Sequence, residues 1–240
     1  MVYHMIRNKR RDPPLCLLPL KQPSKLADLA YQSLKETILS MDYNAEERLD
    51  ERKLAQSLNI SRTPLRDAIN RLVSEGFLRV EPRKGIFINR KSRKEIIEIL
   101  YVRAALEGAA AKMAAQKVSE EDISRMRELF AGFNDENIIS KVEEFARANV
   151  AFHEYVLQLS GNRKLQEFAA NIYDHMRMVR LATIKMDNRA YNALREHLEI
   201  IAAFEKRDGE LARTLMQRHI EGLAVYVETH RGLFPFGPIR

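Results

Sequence analysis

The 240-residue chain has a single cysteine, Cys16, which excludes an intrachain disulfide framework and a thiolate-rich zinc site. Any metal must be held by histidine, carboxylate or amide groups. No apolar run approaches the ~20 residues of a membrane span, so no membrane partner is expected. MIRNKRR followed by LCLLPL has the basic-then-apolar order of a secretion signal, but prolines interrupt it and its apolar part is too short. Internal repeats and low-complexity blocks are also lacking. The expectation is a cytoplasmic protein with a flexible basic tail at residues 1–23.

What is present is an ordinary store of core residues, 45% hydrophobic, with 40 Lys and Arg against 33 Asp and Glu and a formal charge of +7. Such a composition folds rather than staying disordered. The basic excess is uneven. IRNKRR, ISRTPLRDAINR and EPRKGIFINRKSRK all fall early in the chain, and a polyanion is the natural partner of that part.

From Ser24, read as an N-cap, a first amphipathic helix carries Leu26, Ala30, Tyr31, Leu34, Ile38 and Leu39. A short second helix follows Asp50, with Leu54, Ala55 and Leu58 inward. Thr63 before Pro64 reads as an N-cap followed by the residue favoured at the first helical position, so a third helix is expected from there to Gly76. FLRV and IFIN, joined by the basic turn EPRKG, read as a β-hairpin. Together these make a winged helix-turn-helix over 24–91. Beyond RKSRK only helical periodicity remains, with helices expected near 95–116, 120–133, 138–159, 164–185, 189–206 and 209–230. The fold class is mainly α: the winged helix, then an all-α bundle of about six helices over 94–231 and a flexible tail at 232–240.

Positive charge gathers at the start of the third helix, in Ser61, Arg62, Thr63 and Arg66. A helix N-terminus already offers unpaired N–H groups and a positive dipole end, so these side chains complete an anion site, with arginine forks able to bond guanine O6 and N7 in a major groove. A solvated basic face is the plainer alternative. The stretch LDERKLAQSLNISRTPLRDAINRLVSEGFLRVEPRKGIFI resembles the winged helix of GntR-type bacterial transcription regulators. The resemblance implies a homodimer on a pseudo-palindromic double-stranded operator. By position it implies DNA contacts from Arg52, from Ser61, Arg62, Thr63 and Arg66, and from Arg83, Lys84 and Gly85 in the wing. Arg62 and Arg66 would reach bases or central phosphates; Arg52 and Lys84 would position the domain.

In the second half, polar residues interrupt the apolar stripes. Asn149 and His153 stand one turn apart among Val142, Phe145 and Val156; His197 joins Leu194, Leu198, Ile201 and Phe204; His219 lies among Leu211, Ala212, Leu215 and Leu223. Three inward histidines and an amide read either as satisfied core residues or as a metal site. Arg103 and Glu107, also one turn apart in an apolar stripe, read as an internal ion pair or as the anchor of an anionic effector. His175 borders the stripe of Leu165, Phe168, Ile172 and Met176, as pocket wall or as core.

NVAFHEYVLQLSGNRKL, EHLEIIAAFEKRD and MQRHIEGL resemble the FCD domain of the FadR-like branch. That resemblance implies a divalent metal, zinc first and nickel or manganese next, on Asn149, His153, His197 and His219, with an organic acid (carboxylate) effector beside it. Members usually have Asp where this chain has Asn149, a neutral and weaker donor. The expected function is a ligand-responsive DNA-binding regulator, a repressor by the family's habit. The alternatives are a metal-dependent hydrolase or isomerase on the helical bundle, and a DNA-binding regulator whose metal is structural or absent.

Overall fold

A computed structural model describes residues 25–40, 48–184 and 189–229. The expected tails at 1–23 and 232–240, and the cap at Ser24, lie outside them. In chain order the elements are α1 (Lys25–Ser40), β1 (Arg48–Leu49), α2 (Glu51–Ser57), α3 (Arg62–Ser74), β2 (Leu78–Glu81), β3 (Gly85–Ile88), α4 (Arg93–Ala115), α5 (Glu120–Glu128), α6 (Val142–Leu159), α7 (Arg163–Ile184), α8 (Arg189–Glu205) and α9 (Gly209–Thr229).

The first core joins Leu34, Ile38, Leu65, Leu72, Phe77 and Ile88. Asp50 caps α2, its carboxylate accepting from the Arg52 and Lys53 amides at 2.8 and 3.1 Å. α3 starts one residue before Thr63: Ser61 is its N-cap, and Thr63 and Pro64 fall within the first turn. Pro64 is tolerated there because first-turn amides lack intrahelical partners anyway. Gly76, at φ +80°, closes α3 in a Schellman motif. The Phe77 amide donates to Leu72 O and the Gly76 amide to Val73 O. β2 and β3 form the expected hairpin, Val80 opposite Ile86, and β1 adds a third strand to give the order β1-β3-β2. Two residues are too short a run for alternation to register in sequence.

The second core gathers the six remaining helices around Phe130, Phe145, Phe152, Ile200, Phe204 and Met216. A Ser92/Glu95 capping box starts α4, and its Ala-rich face lets α9 close against it, Gly108 meeting Gln217. Two expected helix ends move. α5 stops at Glu128 because the next amides turn to i→i−3 acceptors, Phe130 to Arg127 O. α6 begins at Val142 rather than Ile138: the side chains of Asn134 and Asn137 hold the amides of Asn134, Glu136 and Asn137 in a turn of their own, from which the Ile138 and Lys141 amides bond back to Asn134 O and Asn137 O.

Leu26, Phe168 and Leu198 were expected inside but are exposed, by 51, 66 and 43%. Each lies at the margin of its stripe, where the neighbouring helix does not reach.

The two cores meet through α7. Its His175 Nε2–H donates to the carbonyl of Glu75, the C-cap of α3, at 2.9 Å, and its ring stacks on Phe77 with centroids 4.2 Å apart. Asp174 beside it pairs with Lys35 of α1 at 2.7 Å.

Candidate functional site

Two sites emerge, one in each core. In the winged helix, Arg52, Ser61, Arg62, Thr63, Arg66, Arg83 and Lys84 are all exposed. Arg52, Ser61 and Arg62 line one open cleft of about 440 Å³ at the start of α3, and Gly85 lines another with Arg48 and Lys53. Gly85 sits at φ +120°, with an added Cβ only 2.9 Å from Arg48 Nε, so the wing turn requires glycine there.

The N-termini of α2 and α3 differ. Asp50 satisfies the first, whereas Ser61 makes no side-chain capping bond, leaving the α3 amides turned outward beside Arg62, the arrangement an anion seeks. Arg66 is held from α2, its Nε donating to Glu51 Oε2 at 3.0 Å. That contact uses the inner nitrogen and turns the terminal pair outward.

In the second core, α6, α8 and α9 bring His153, His197 and His219 together, each with a ring nitrogen within 4.8 Å of the others. All three are buried. His153 Nδ1–H donates to Glu107 Oε2 at 2.5 Å, and His219 Nδ1–H to Glu196 Oε2 at 2.6 Å. A carboxylate behind Nδ1 fixes the tautomer and turns the Nε2 lone pair away from it, the usual support of a metal-ligating histidine. His197 is held differently, stacked on Phe130 at 4.7 Å. Its Nε2 is 3.3 Å from His153 Nε2, and its Nδ1 is buried without a hydrogen-bond partner.

Burial and the adjoining His219 and His153 push His197 well below its ordinary range. Burial and Arg189 do the same for His219. Neutral imidazoles are the form that ligates a metal.

Behind the triad, Arg103 Nε donates to Glu107 Oε1 at 2.6 Å, as does the Tyr173 hydroxyl at 2.7 Å. Burial would raise the Glu107 carboxyl, but Arg103 and His153 outweigh it and hold the group far below the usual carboxylate range. Arg103 and Glu107 are therefore an internal pair and also neighbours of the triad. Asn149 stands one turn before His153 on α6, half-buried. His175 does not join them; it packs against α3 and Phe77, the core alternative rather than the pocket wall. Tyr173, Arg189 and Glu196 are additional members of the site.

The model of bacterial regulatory proteins of the gntR family matches residues 26–88, and the FCD domain model matches residues 98–222, just over half of the chain. The chain belongs to the GntR family and carries an FCD domain. Among relatives of this GntR-family protein, the HTH-type transcriptional regulator YdhC of Bacillus subtilis is 29% identical over 191 residues, 79% of this chain and 85% of that one. The HTH-type transcriptional repressor RspR of Escherichia coli is 25% identical over 186 residues, covering 76% and 80%. The fold is shared with E. coli McbR/YncC at a TM-score of 0.64 and 20% identity, covering 85% of this chain and 97% of that one.

The GntR chain is thus a DNA-binding transcriptional regulator. The hydrolase or isomerase reading of the histidine centre falls, since these relatives are regulators and not enzymes. Among the described residues no helix is long and apolar enough to cross a membrane.

Proposed function

We propose that the protein is a cytoplasmic, ligand-responsive repressor. Its homodimer sets two α3 helices on a pseudo-palindromic operator, and a small organic acid bound in the FCD domain releases it. In this reading Arg62 and Arg66 read bases or central phosphates, Ser61 and Thr63 join them, and Arg52, Arg83, Lys84 and Gly85 hold the backbone. His153, His197 and His219 hold a divalent metal with Asn149 nearby, and Arg103, kept charged by Glu107, faces the effector.

The observation that carries the effector half is the convergence of three buried imidazoles, two of them oriented by carboxylates. Three nitrogen donors with no thiolate suit zinc, with nickel or manganese as weaker candidates, and leave coordination positions for a carboxylate. The bound ion would supply Lewis acidity toward that carboxylate.

A second reading, a regulator whose centre holds no metal, has one observation in its favour. If His197 Nε2–H donates across the 3.3 Å to His153 Nε2, the triad satisfies itself, and the unpartnered Nδ1 of His197 is a lone pair rather than a stranded donor.

Elemental analysis of untagged protein decides between them. We expect about one zinc per chain, lost in the His153→Ala/His219→Ala variant; no metal after dialysis against excess zinc establishes the second reading. On the DNA side, Arg62→Ala is expected to weaken specific operator binding by about 1–3 kcal/mol and to relax the base preference. Unchanged binding in a salt-controlled gel shift would move the reading surface away from the start of α3.

A further inference from the structure

Among the described residues, two pairs of opposite charge adjoin the histidine triad. Arg103 pairs with Glu107 at 2.6 Å, and Arg189 pairs with Glu196 at 2.8 Å. The imidazoles are neutral when they ligate, and Asn149 contributes no charge. Apolar rings line the His197 side: Phe130, Phe145 and Phe152 are all buried against it. A divalent ion on the triad therefore brings two positive charges into the core that the pairs among the described residues do not offset, and unpaired buried charge is strongly unfavourable.

A second observation says where one offsetting charge would sit. Arg189, buried at the start of α8, commits Nη1 to Glu196. Its Nη2 has two long contacts of 3.4 Å, to His219 O and to His219 Nδ1. The second is not an acceptor, because His219 Nδ1 already gives its proton to Glu196 at 2.6 Å. A strong, fork-shaped donor is thus poorly used at the edge of the triad, where a carboxylate would engage it better.

We propose that the FCD site takes a dianion of the dicarboxylate class, one carboxylate toward the metal and the other on Arg189, which is a specificity-determining residue. The proposal rests on the metal-and-acid reading above and adds to it the charge of the effector and its second anchor.

The test is isothermal titration of the full-length, zinc-loaded protein with succinate and with butyrate, which share a four-carbon chain, at equal ionic strength. Zinc is measured before and after each titration. Succinate is expected to bind at least about tenfold more tightly, the worth of one charge-assisted contact. Arg189→Met should remove most of that preference with zinc content unchanged. Asn149→Asp, which adds one negative charge beside the triad, should shift the preference toward butyrate. If Arg189→Met melts the bundle, the Asn149→Asp comparison carries the test alone, since that position is half-buried and already polar. Equal affinities for the two acids with zinc retained would overturn the proposal and leave the metal reading standing. Failure to take up zinc at all would overturn both.

Discussion

Replacing Glu107 with alanine will destabilise the FCD domain by about 3–5 kcal/mol, the range for removing one partner of a buried ion pair. Three groups lose their acceptor together: the Arg103 guanidinium, the Tyr173 hydroxyl and the His153 Nδ1–H. Glu107 is 1% exposed and Arg103 is 7% exposed, so water cannot readily replace the missing oxygens. The double variant Arg103→Met/Glu107→Leu should recover much of the loss, because deleting both charges leaves an apolar pair rather than a stranded cation. Urea unfolding followed by circular dichroism measures both. A loss below about 1 kcal/mol for the single variant, the median of surface pairs, would mean the network is more hydrated than its burial indicates.

The second large effect is expected on acidification of the metal-free protein. His197 and His219 are held well below their ordinary range when folded and return to about 6.5 when unfolded. Below that pH the unfolded chain binds protons that the folded chain refuses, so stability falls as pH falls. The slope approaches ~1.4 kcal/mol per pH unit for each group, or ~2.7 for the two. His175, lowered by its own burial and by Lys91, acts in the same direction. Glu107 enters only later: its folded carboxyl is depressed, so its contribution is present above the ordinary carboxylate range and is lost as pH drops through its folded value. The decline should therefore begin near pH 6.5. Urea midpoints at pH 7.5, 6.5 and 5.5 in chelator test this, and His197→Phe should lower the slope by up to ~1.4 kcal/mol per pH unit, the share of one group. A flat profile from pH 7 to 5 would show that the two rings are protonated in the folded state.

The parts of this protein that periodicity can carry were legible before any coordinates. His153, His197 and His219 announced themselves as polar residues on apolar faces, and the Thr63-Pro64 pair located the start of α3 to within a residue or two. What escaped had no period to betray it. Arg189 is the first residue of its helix, and Glu196, adjacent to His197, points a hundred degrees off the stripe that drew attention to His197. Tyr173 looked like any buried aromatic until its hydroxyl met Glu107. His175 was visible as a residue at a margin, but whether that margin faced a pocket or the winged helix depended on which surface lay opposite. A single helix's pattern does not contain that information.

The contact between α7 and the end of α3 has a mechanical consequence. His175 grips α3 at its C-cap, while Arg62 stands at the other end of the same 13-residue helix, roughly 20 Å away at 1.5 Å per residue. The grip is thus the fulcrum of a lever whose long arm ends in the DNA-facing arginine. A tilt of about 5° at the fulcrum sweeps that tip through roughly 1.7 Å, which exceeds the spread of about 0.5 Å over which a hydrogen bond keeps its geometry.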